Sequence, residues 1–178
     1  MDRRWIGILI ILIVGLSAMY LIVDNSNTVG NAISVIGDVS VTLPPGYKTG
    51  ATHATDFSMY NPSNENTIFV NFLEMGNHSQ KYYKKNLTAL KNNPDITVYD
   101  YSSNGTVHTI HYNDPNSKYK NHNETLVFFE KVNRTLSMRL VKFDSFSDQN
   151  DIIFFIMDNV KKDFKQNKAN GEFKEFTV

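Results

Sequence analysis

Five histidines, eighteen acids and a serine-rich turn are the residues of this chain with chemistry in reach, and their spacing argues against most of it. His108 and His111 look like a metal pair, but they stand three apart in a segment that alternates as a strand. On a strand, such side chains leave from opposite faces. His53, His78 and His122 fall in loops, and no H-E-x-x-H occurs. Zinc needs three or four convergent ligands, so no metal site is expected. The chain has no cysteine, which removes thiol catalysis, cysteine-held zinc and iron–sulfur clusters. There is no G-x-S-x-G to raise a nucleophilic serine on a strained turn. Ser102-Ser103-Asn104-Gly105 reads instead as a hairpin turn, since Asn and Gly both tolerate the positive φ of a type I′ turn.

Carboxylate pairs can be drawn among Glu74, Glu124 and Glu130, but any chain with eighteen acids offers such pairs. Glu130 and Arg139 face each other across an expected hairpin, where a structural cross-strand pair is the ordinary outcome. The nine glycines are scattered and form no G-x-G-x-x-G, so no phosphate cradle is expected. The sequence therefore names no catalytic, cofactor-binding or metal residue, and the expectation is a protein that is not an enzyme. Tyr99 and Tyr101 share a strand face, with Tyr112 and Tyr119 nearby in the chain. Exposed, they would stack on sugars or on a protein partner; a helix covering them is the commoner arrangement.

One further class of site is chemical modification. Twenty-one asparagines give five N-x-S/T acceptors, Asn77, Asn86, Asn104, Asn123 and Asn133, while Pro62 blocks a sixth at Asn61. Chance in so Asn-rich a chain gives about three, a mild excess that makes these candidate N-glycosylation sites.

The elements that must position these residues begin with an anchor. Residues 5–23 are nineteen uncharged residues. As a helix they would reach about 28 Å, close to the hydrocarbon thickness of a bilayer. Arg3 and Arg4 precede the run and Asp24 follows it. The expectation is thus a cytoplasmic N-terminus over 1–4, a transmembrane anchor over 5–23 and everything beyond it outside. A cleaved signal peptide would carry a shorter apolar core ending in a small-x-small site, and here Ser17 and Ala18 are followed by five larger residues. Without Asp2, Arg3 and Arg4, sixteen basic residues remain against seventeen acidic ones. A net charge near −1 offers no basic stripe for nucleic acid.

Residues 24–32 read as a linker, 33–165 as one α+β domain, and 166–178 as a tail in which an Asn170-Gly171 turn precedes FKEFTV, read as a short added strand or a loose end. Strands are expected at 33–36, 39–43, 56–60 and 67–75, with Pro44-Pro45-Gly46 stopping the second. A helix is expected over 79–93, with Tyr83, Leu87 and Leu90 on one stripe and lysines opposite. Hairpins follow at 96–101 with 106–112 and, around Asn133-Arg134, at 124–132 with 135–143. The loop between these hairpins, 113–123, reads as flexible. The run Leu126-Val127-Phe128-Phe129 does not alternate, the mark of a strand covered on both faces. A second helix is expected over 148–165, capped by Ser147, with Ile152, Ile156, Val160 and Phe164 in line. Together these give a mostly antiparallel sheet with one helix on each side.

The opening MDRRWIGILIILIVGLSAMYLIVDNSNTVGNAI, followed by VSVTLPPGYK, resembles a group of small membrane-anchored proteins of methanogenic archaea for which no activity is established. VSVTLPPGYK also resembles the strand-Pro-Gly-Tyr opening of PsbP-like and DcrB-like domains. That resemblance implies an antiparallel sheet between helices and a protein-binding accessory role. No metal-binding constellation matches PsbP, so no site residue is carried over. The functional expectation is a non-catalytic accessory or protein-binding domain on the outer face of the cytoplasmic membrane, with a protein partner there. Two alternatives compete. A pilin-like filament subunit would need a small residue between the basic residues and the apolar run, where Trp5 follows Arg4 directly. A cell-envelope enzyme has only location and aromatics in its favour.

Overall fold

The computed structural model describes residues 33–36, 38–119 and 123–162. The expected anchor over 5–23, the linker, the tail from 166, His122 and Phe164 lie outside the described residues. Among the described residues, no helix is long and apolar enough to cross a membrane.

Among the described residues, ten strands and two helices follow in the order β1 (Ile33–Ile36), β2 (Val39–Thr42), β3 (Lys48–Thr52), β4 (Asp56–Tyr60), β5 (Thr67–Met75), α1 (Ser79–Lys91), β6 (Thr97–Asn104), β7 (Val107–Asn113), β8 (Asn123–Lys131), β9 (Arg134–Val141), α2 (Asn150–Asp158) and β10 (Val160–Lys162). A seven-stranded sheet runs β3-β4-β5-β9-β8-β7-β6, and a small sheet runs β1-β2-β10. Every pairing is antiparallel. The fold is α+β, and the described residues fall in one compact unit.

β8 sits inside the large sheet between β7 and β9, and its run of four apolar residues serves two cores. Val127 and Phe129 join the larger core with Phe57, Ile68, Leu136 and Met138 of the sheet, Val39 and Val41 of the small sheet, and Ile153 and Ile156 of α2. Phe128 points the other way, to Tyr83 of α1, Ile110 and Tyr112, with Leu87, Leu90 and Leu126 half-buried around them. A helix does pack on each face, as the pattern predicted. On the larger-core face, the small sheet shares the cover. On the other face α1 lies over β6, β7 and β8, while Phe69 and Asn71 of β5 stay half-exposed.

The small sheet is clamped to the large one by charge. Arg134 of β9 reaches Asp38 in the β1–β2 turn with both guanidinium arms, Nε donating to Oδ1 at 2.8 Å and Nη2 to Oδ2. The Arg134 hydrogen bond holds the Asp38 carboxyl below its usual range, with burial opposing.

Several expected boundaries shift for local reasons. β3 is absent from the sequence pattern because its residues, Lys-Thr-Gly-Ala-Thr, are exposed throughout at a sheet edge and show no apolar alternation. The turn Pro44–Tyr47 closes with Tyr47 N–H donating to the Pro44 carbonyl at 3.1 Å. Gly46 there takes φ +82°, the third position of a type II turn after Pro45.

The expected helix over 148–165 is cut to Asn150–Asp158 after a 3-10 turn at Ser147–Gln149. Asn159 ends it: its backbone N–H and its side chain both donate to the Phe155 carbonyl. Val160 then extends the small sheet opposite Val41, where it is buried as a strand residue and not as a helix one. Ser147 makes no capping bond to the helix; its hydroxyl shares a hydrogen bond with Ser145 at 2.8 Å.

The turn expected at Asn133-Arg134 falls on Val132-Asn133, both at positive φ (48° and 58°), since Lys131 pairs with Arg134. That is the type I′ backbone, with a valine in a conformation branched residues rarely take. The Asn104-Gly105 turn also slides by one. Asn104 pairs with Val107, leaving Gly105-Thr106 as the two loop residues, with Gly105 at φ +58°. Positive φ at the first loop residue alone is the type II′ pattern, so Gly carries the turn and Asn104 stays in the strand.

Candidate functional site

Among the places in the described chain that concentrate polar groups, two are closed and a third is open. The first lies under α1. His108 of β7 is 1% exposed, stacked on Tyr83 with ring centres 5.0 Å apart. Its Nε2 lies 3.1 Å from Ser79 Oγ, and its Nδ1 lies 2.8 Å from Ser103 Oγ. That is the spacing of a serine–histidine dyad, but the protons run the wrong way. Ser79 Oγ donates to Glu130 Oε1 at 2.6 Å, and the Ser79 backbone N–H donates to the same oxygen. The Ser79 proton is therefore committed to Glu130, Nε2–H donates to Ser79, and Nδ1 accepts from Ser103. This tautomer follows from the hydrogen-bond network. Ser79 is fully buried, so no substrate carbonyl reaches it. The chain of bonds pins the start of α1 to β6, β7 and β8.

The second is Glu124 of β8, which is 0% exposed. Arg139 Nε donates to its Oε2 at 2.6 Å and Nη2 to its Oε1 at 2.9 Å. Tyr112 donates to Oε2 and Ser117 to Oε1, both at 2.5 Å. Burial raises the Glu124 carboxyl, but Arg139, Ser117 and Tyr112 together outweigh it and hold the group below its ordinary 4.5. Burial, and then Glu124, push the Tyr112 hydroxyl far up. Ser117 belongs to the loop after β7, so this site ties that loop to the sheet, and Tyr119 of the same loop lies over Arg139 at 5.3 Å. The segment expected to be a flexible loop thus has described anchoring through Ser117 and Tyr119.

These networks correct the expected partners. Glu130 does not pair with Arg139, because register sets Glu130 opposite Thr135 and Arg139 opposite Leu126. Glu74 of β5 and Glu130 of β8 stand opposite the same Thr135 of β9, from either side, while Glu124 lies six residues before Glu130 along β8; Glu74 sits beside Lys81 at 3.6 Å. His108 and His111 do leave opposite faces: His111 Nδ1 meets Thr125 Oγ1 at 2.7 Å and its ring lies 4.6 Å from Phe146. Tyr99 and Tyr101 do not share a face. A bulge between Val98 and Asp100 breaks the alternation, sending Tyr99 to Phe146 and Tyr101 under the Lys91 ammonium, 3.8 Å from the ring centre. Neither is covered: they are 59% and 48% exposed.

Of the five sequon asparagines, Asn77, Asn104 and Asn133 are exposed, whereas Asn86 and Asn123 are half-buried. The Asn86 amide donates to the Tyr82 carbonyl at 2.9 Å, and the Asn123 oxygen accepts from Asn113 at 3.2 Å.

Burial lowers the affinity of both His108 and His111 for a proton, Glu130 and Asp100 respectively opposing it. A group with a depressed folded value gives its full stability above the unfolded value and loses it as pH falls. The ordinary histidine value is 6.5. The urea midpoint of the full chain is therefore expected to fall between pH 7.5 and pH 5.5. The double change His108→Gln and His111→Gln should flatten that fall whatever it does to the midpoint at pH 7.5. An unchanged slope would assign the acid sensitivity to other groups.

The third place is open. A cavity of about 460 Å³ is lined by Pro44, Tyr47, Asn61, Asn64, Asn66 and, among others, Asp148 and Phe155. Strand register assembles it. Thr67 pairs with Val141, so the loop before β5 and the chain leaving β9 emerge at the same end of the sheet. The 61–66 wall is stiff: Asn61 N–H donates to the Asn66 carbonyl at 2.9 Å and Glu65 N–H to the Asn61 carbonyl at 2.8 Å. Asn61 Oδ1 accepts from Ser63 N–H, and Asn64 Oδ1 from Asn66 N–H. Tyr47 is 8% exposed, and its hydroxyl has no partner in hydrogen-bonding geometry. Burial pushes that hydroxyl up to about 12, with the neighbouring Asn66 side chain opposing. Sequence reasoning missed this site. Its only trace is two polar stretches, NPSNEN and DSFSDQND, about eighty residues apart.

Comparison with protein-family models and with curated protein sequences gives no match. Among solved structures, the chain is similar to the solution structure of cyanobacterial PsbP (CyanoP) from Synechocystis sp. PCC 6803. Identity is 10% and the TM-score 0.43, over 75% of this chain and 95% of that one. It is also similar to a crystal structure from Bacteroides thetaiotaomicron VPI-5482, with 11% identity and a TM-score of 0.45, over 75% of this chain and 49% of that one. The chain thus spans about half the length of that second protein.

Proposed function

We propose that this chain is a binding domain held at the outer face of the cytoplasmic membrane by residues 5–23, and that it acts as a non-catalytic accessory module to a protein partner. The observation that carries this reading is the contrast between its polar sites. The groups with reactive potential, Ser79, His108 and Glu130, are tied to one another under α1 with Ser79 fully buried. The open site is a preformed cavity walled by amides, carboxylates and apolar side chains. Such a wall recognises a ligand and has no activated nucleophile or converged acid–base pair to transform it. The apolar, uncharged run at 5–23 and the two arginines before it support the location.

Crosslinking intact cells, followed by capture through a C-terminal tag, tests the reading. The expected product is a stoichiometric complex with one membrane or envelope protein. Recovery of long homopolymers would replace the accessory reading with the filament one. Recovery of the protein strictly alone would end both.

A further inference from the structure

We infer that the cavity between the Pro44–Tyr47 turn, the 61–66 loop and the start of α2 receives a lysine or arginine side chain from an extended segment of the partner protein. The inference rests on the accessory-domain reading and names what that partner presents. At about 460 Å³ the cavity is in the range of small-ligand sites. Asp148 and Asp151 border it, and among the described residues no lysine or arginine lines it. Lys142, on the chain leaving β9, is held by Glu65 at 3.2 Å. Among the described residues no three His, Asp or Glu side chains gather as a metal-holding group. The Asp148 and Asp151 carboxylates thus line the cavity without joining a third in a metal-holding group, which suits a cation with a body and not a bare ion.

A second observation is independent of the acids. Tyr47 is more than nine-tenths buried, lines the cavity beside Asn66, and has a hydroxyl with no partner in hydrogen-bonding geometry, the Asn66 side chain being near but not bonded. A buried hydroxyl left unpaired costs stability, and a group donating or accepting from within the cavity would recover it. The remaining wall fixes the class of ligand. Asn61 and Asn64 spend their side-chain oxygens on their own loop, so their amide N–H groups are the donors left on that side. Donors of that kind match the carbonyls of a peptide. Ile152, Phe155 and Pro44 form the apolar part of the lining, where the methylene stem of a long basic side chain packs while its head meets carboxylate. The loop bonds hold this wall before any ligand arrives, which lowers the ordering cost of binding.

The test uses the full chain, isotope-labelled in detergent micelles and titrated with acetyl-Gly-Lys-Gly-amide while its amide resonances are followed. Shifts are expected at residues 61–66 and 144–155. The same peptide with norleucine for lysine should bind about tenfold more weakly, the loss expected when a charge partner is removed. The double change Asp148→Asn and Asp151→Asn should weaken the lysine peptide by about tenfold with an unaltered circular dichroism spectrum. Tyr47→Phe should weaken it by about threefold while leaving the stability of the chain little changed, since the hydroxyl has no partner in hydrogen-bonding geometry. Equal binding of the norleucine peptide, undiminished binding to the Asp148→Asn/Asp151→Asn chain, or shifts confined to other surfaces would overturn the inference. The cellular crosslinking separates it from the reading beneath it. If the doubly substituted chain still captures its partner in full, the accessory role stands and the cavity assignment falls. If no partner is captured but the lysine peptide binds as described, the cavity assignment stands and the accessory role falls.

Discussion

Replacing Arg139 by alanine is expected to cost about 3 kcal/mol of folding free energy, the lower end of what breaking a buried ion pair costs. The figure follows from an asymmetry in burial. Glu124 is fully buried, whereas the Arg139 side chain is 38% exposed. Arginine is solvated in part even when paired, so its own release into water recovers little. The carboxylate has nowhere to go. Without Arg139 it keeps the Tyr112 and Ser117 hydroxyls, two neutral donors facing a full charge. The variant should then answer to pH with the opposite sign. In the native chain Glu124 is held below 4.5, so its contribution is complete above that value and disappears as pH falls through the lower folded one. In R139A, burial dominates and the folded value rises above the unfolded one. The variant should therefore regain stability as pH drops from 7 towards 5, relative to the native chain. Urea midpoints at the two pH values measure this. Adding Glu124→Gln to R139A should recover about 1–2 kcal/mol, because a neutral amide still accepts from Tyr112 without a charge to bury. A loss below about 0.5 kcal/mol in R139A, the size of an ordinary surface change, would mean that water already reaches Glu124.

Much of the scaffold was legible because it is built from local signals. β4 and β5 appear where apolar alternation placed them, since each presents one buried face: Phe57 and Met59, then Ile68 and Val70. α1 begins at Ser79 as its stripe of Tyr83, Leu87 and Leu90 requires. The misses share a cause. β3 is an edge strand whose side chains are all exposed, so burial leaves no mark on its sequence. Val160 continues the spacing of Ile152 and Ile156, and only the waiting edge of β2 turns it into a strand residue. The bulge at Val98–Asp100 inverts Tyr99 with no glycine or proline to announce it. The sites were less legible than the scaffold for the same reason. Ser79, His108 and Glu130 meet across separations of up to 51 residues, and the cavity walls meet only through the β5–β9 register. Type and spacing along a chain carry hairpins and stripes; they do not carry contacts made by register between distant strands.

The non-alternating run in β8 makes a sharper demand, because it says that one strand holds two cores together. Phe129 is 0% exposed, packed with the sheet, the small sheet and α2, and Phe128 is 3% exposed against α1. Phe129→Ala is expected to cost about 4 kcal/mol and Phe128→Ala about 3 kcal/mol, in the range for emptying a phenylalanine site. The difference reflects neighbours. The smaller core is made mostly of half-buried members, Leu87 and Leu90 among them, that can close over a void, whereas the larger core is made mostly of buried ones, half-buried Val107 opposite Phe129 being an exception. The two residues are adjacent in sequence, yet they share no cluster. Their effects should therefore add to within about 0.5 kcal/mol, as for independent sites and unlike ordinary neighbours. Leucine substitutions keep the double variant folded, at about 1 kcal/mol each. A double-mutant cycle in urea with Phe128→Leu and Phe129→Leu reads the coupling directly. A coupling above about 1 kcal/mol would mean that β8 shifts as a unit when either side is thinned. Near-zero coupling would mean that the hydrogen bonds to β7 and β9 hold its backbone in place, so that the face carrying the cavity is repacked without disturbing the face under α1.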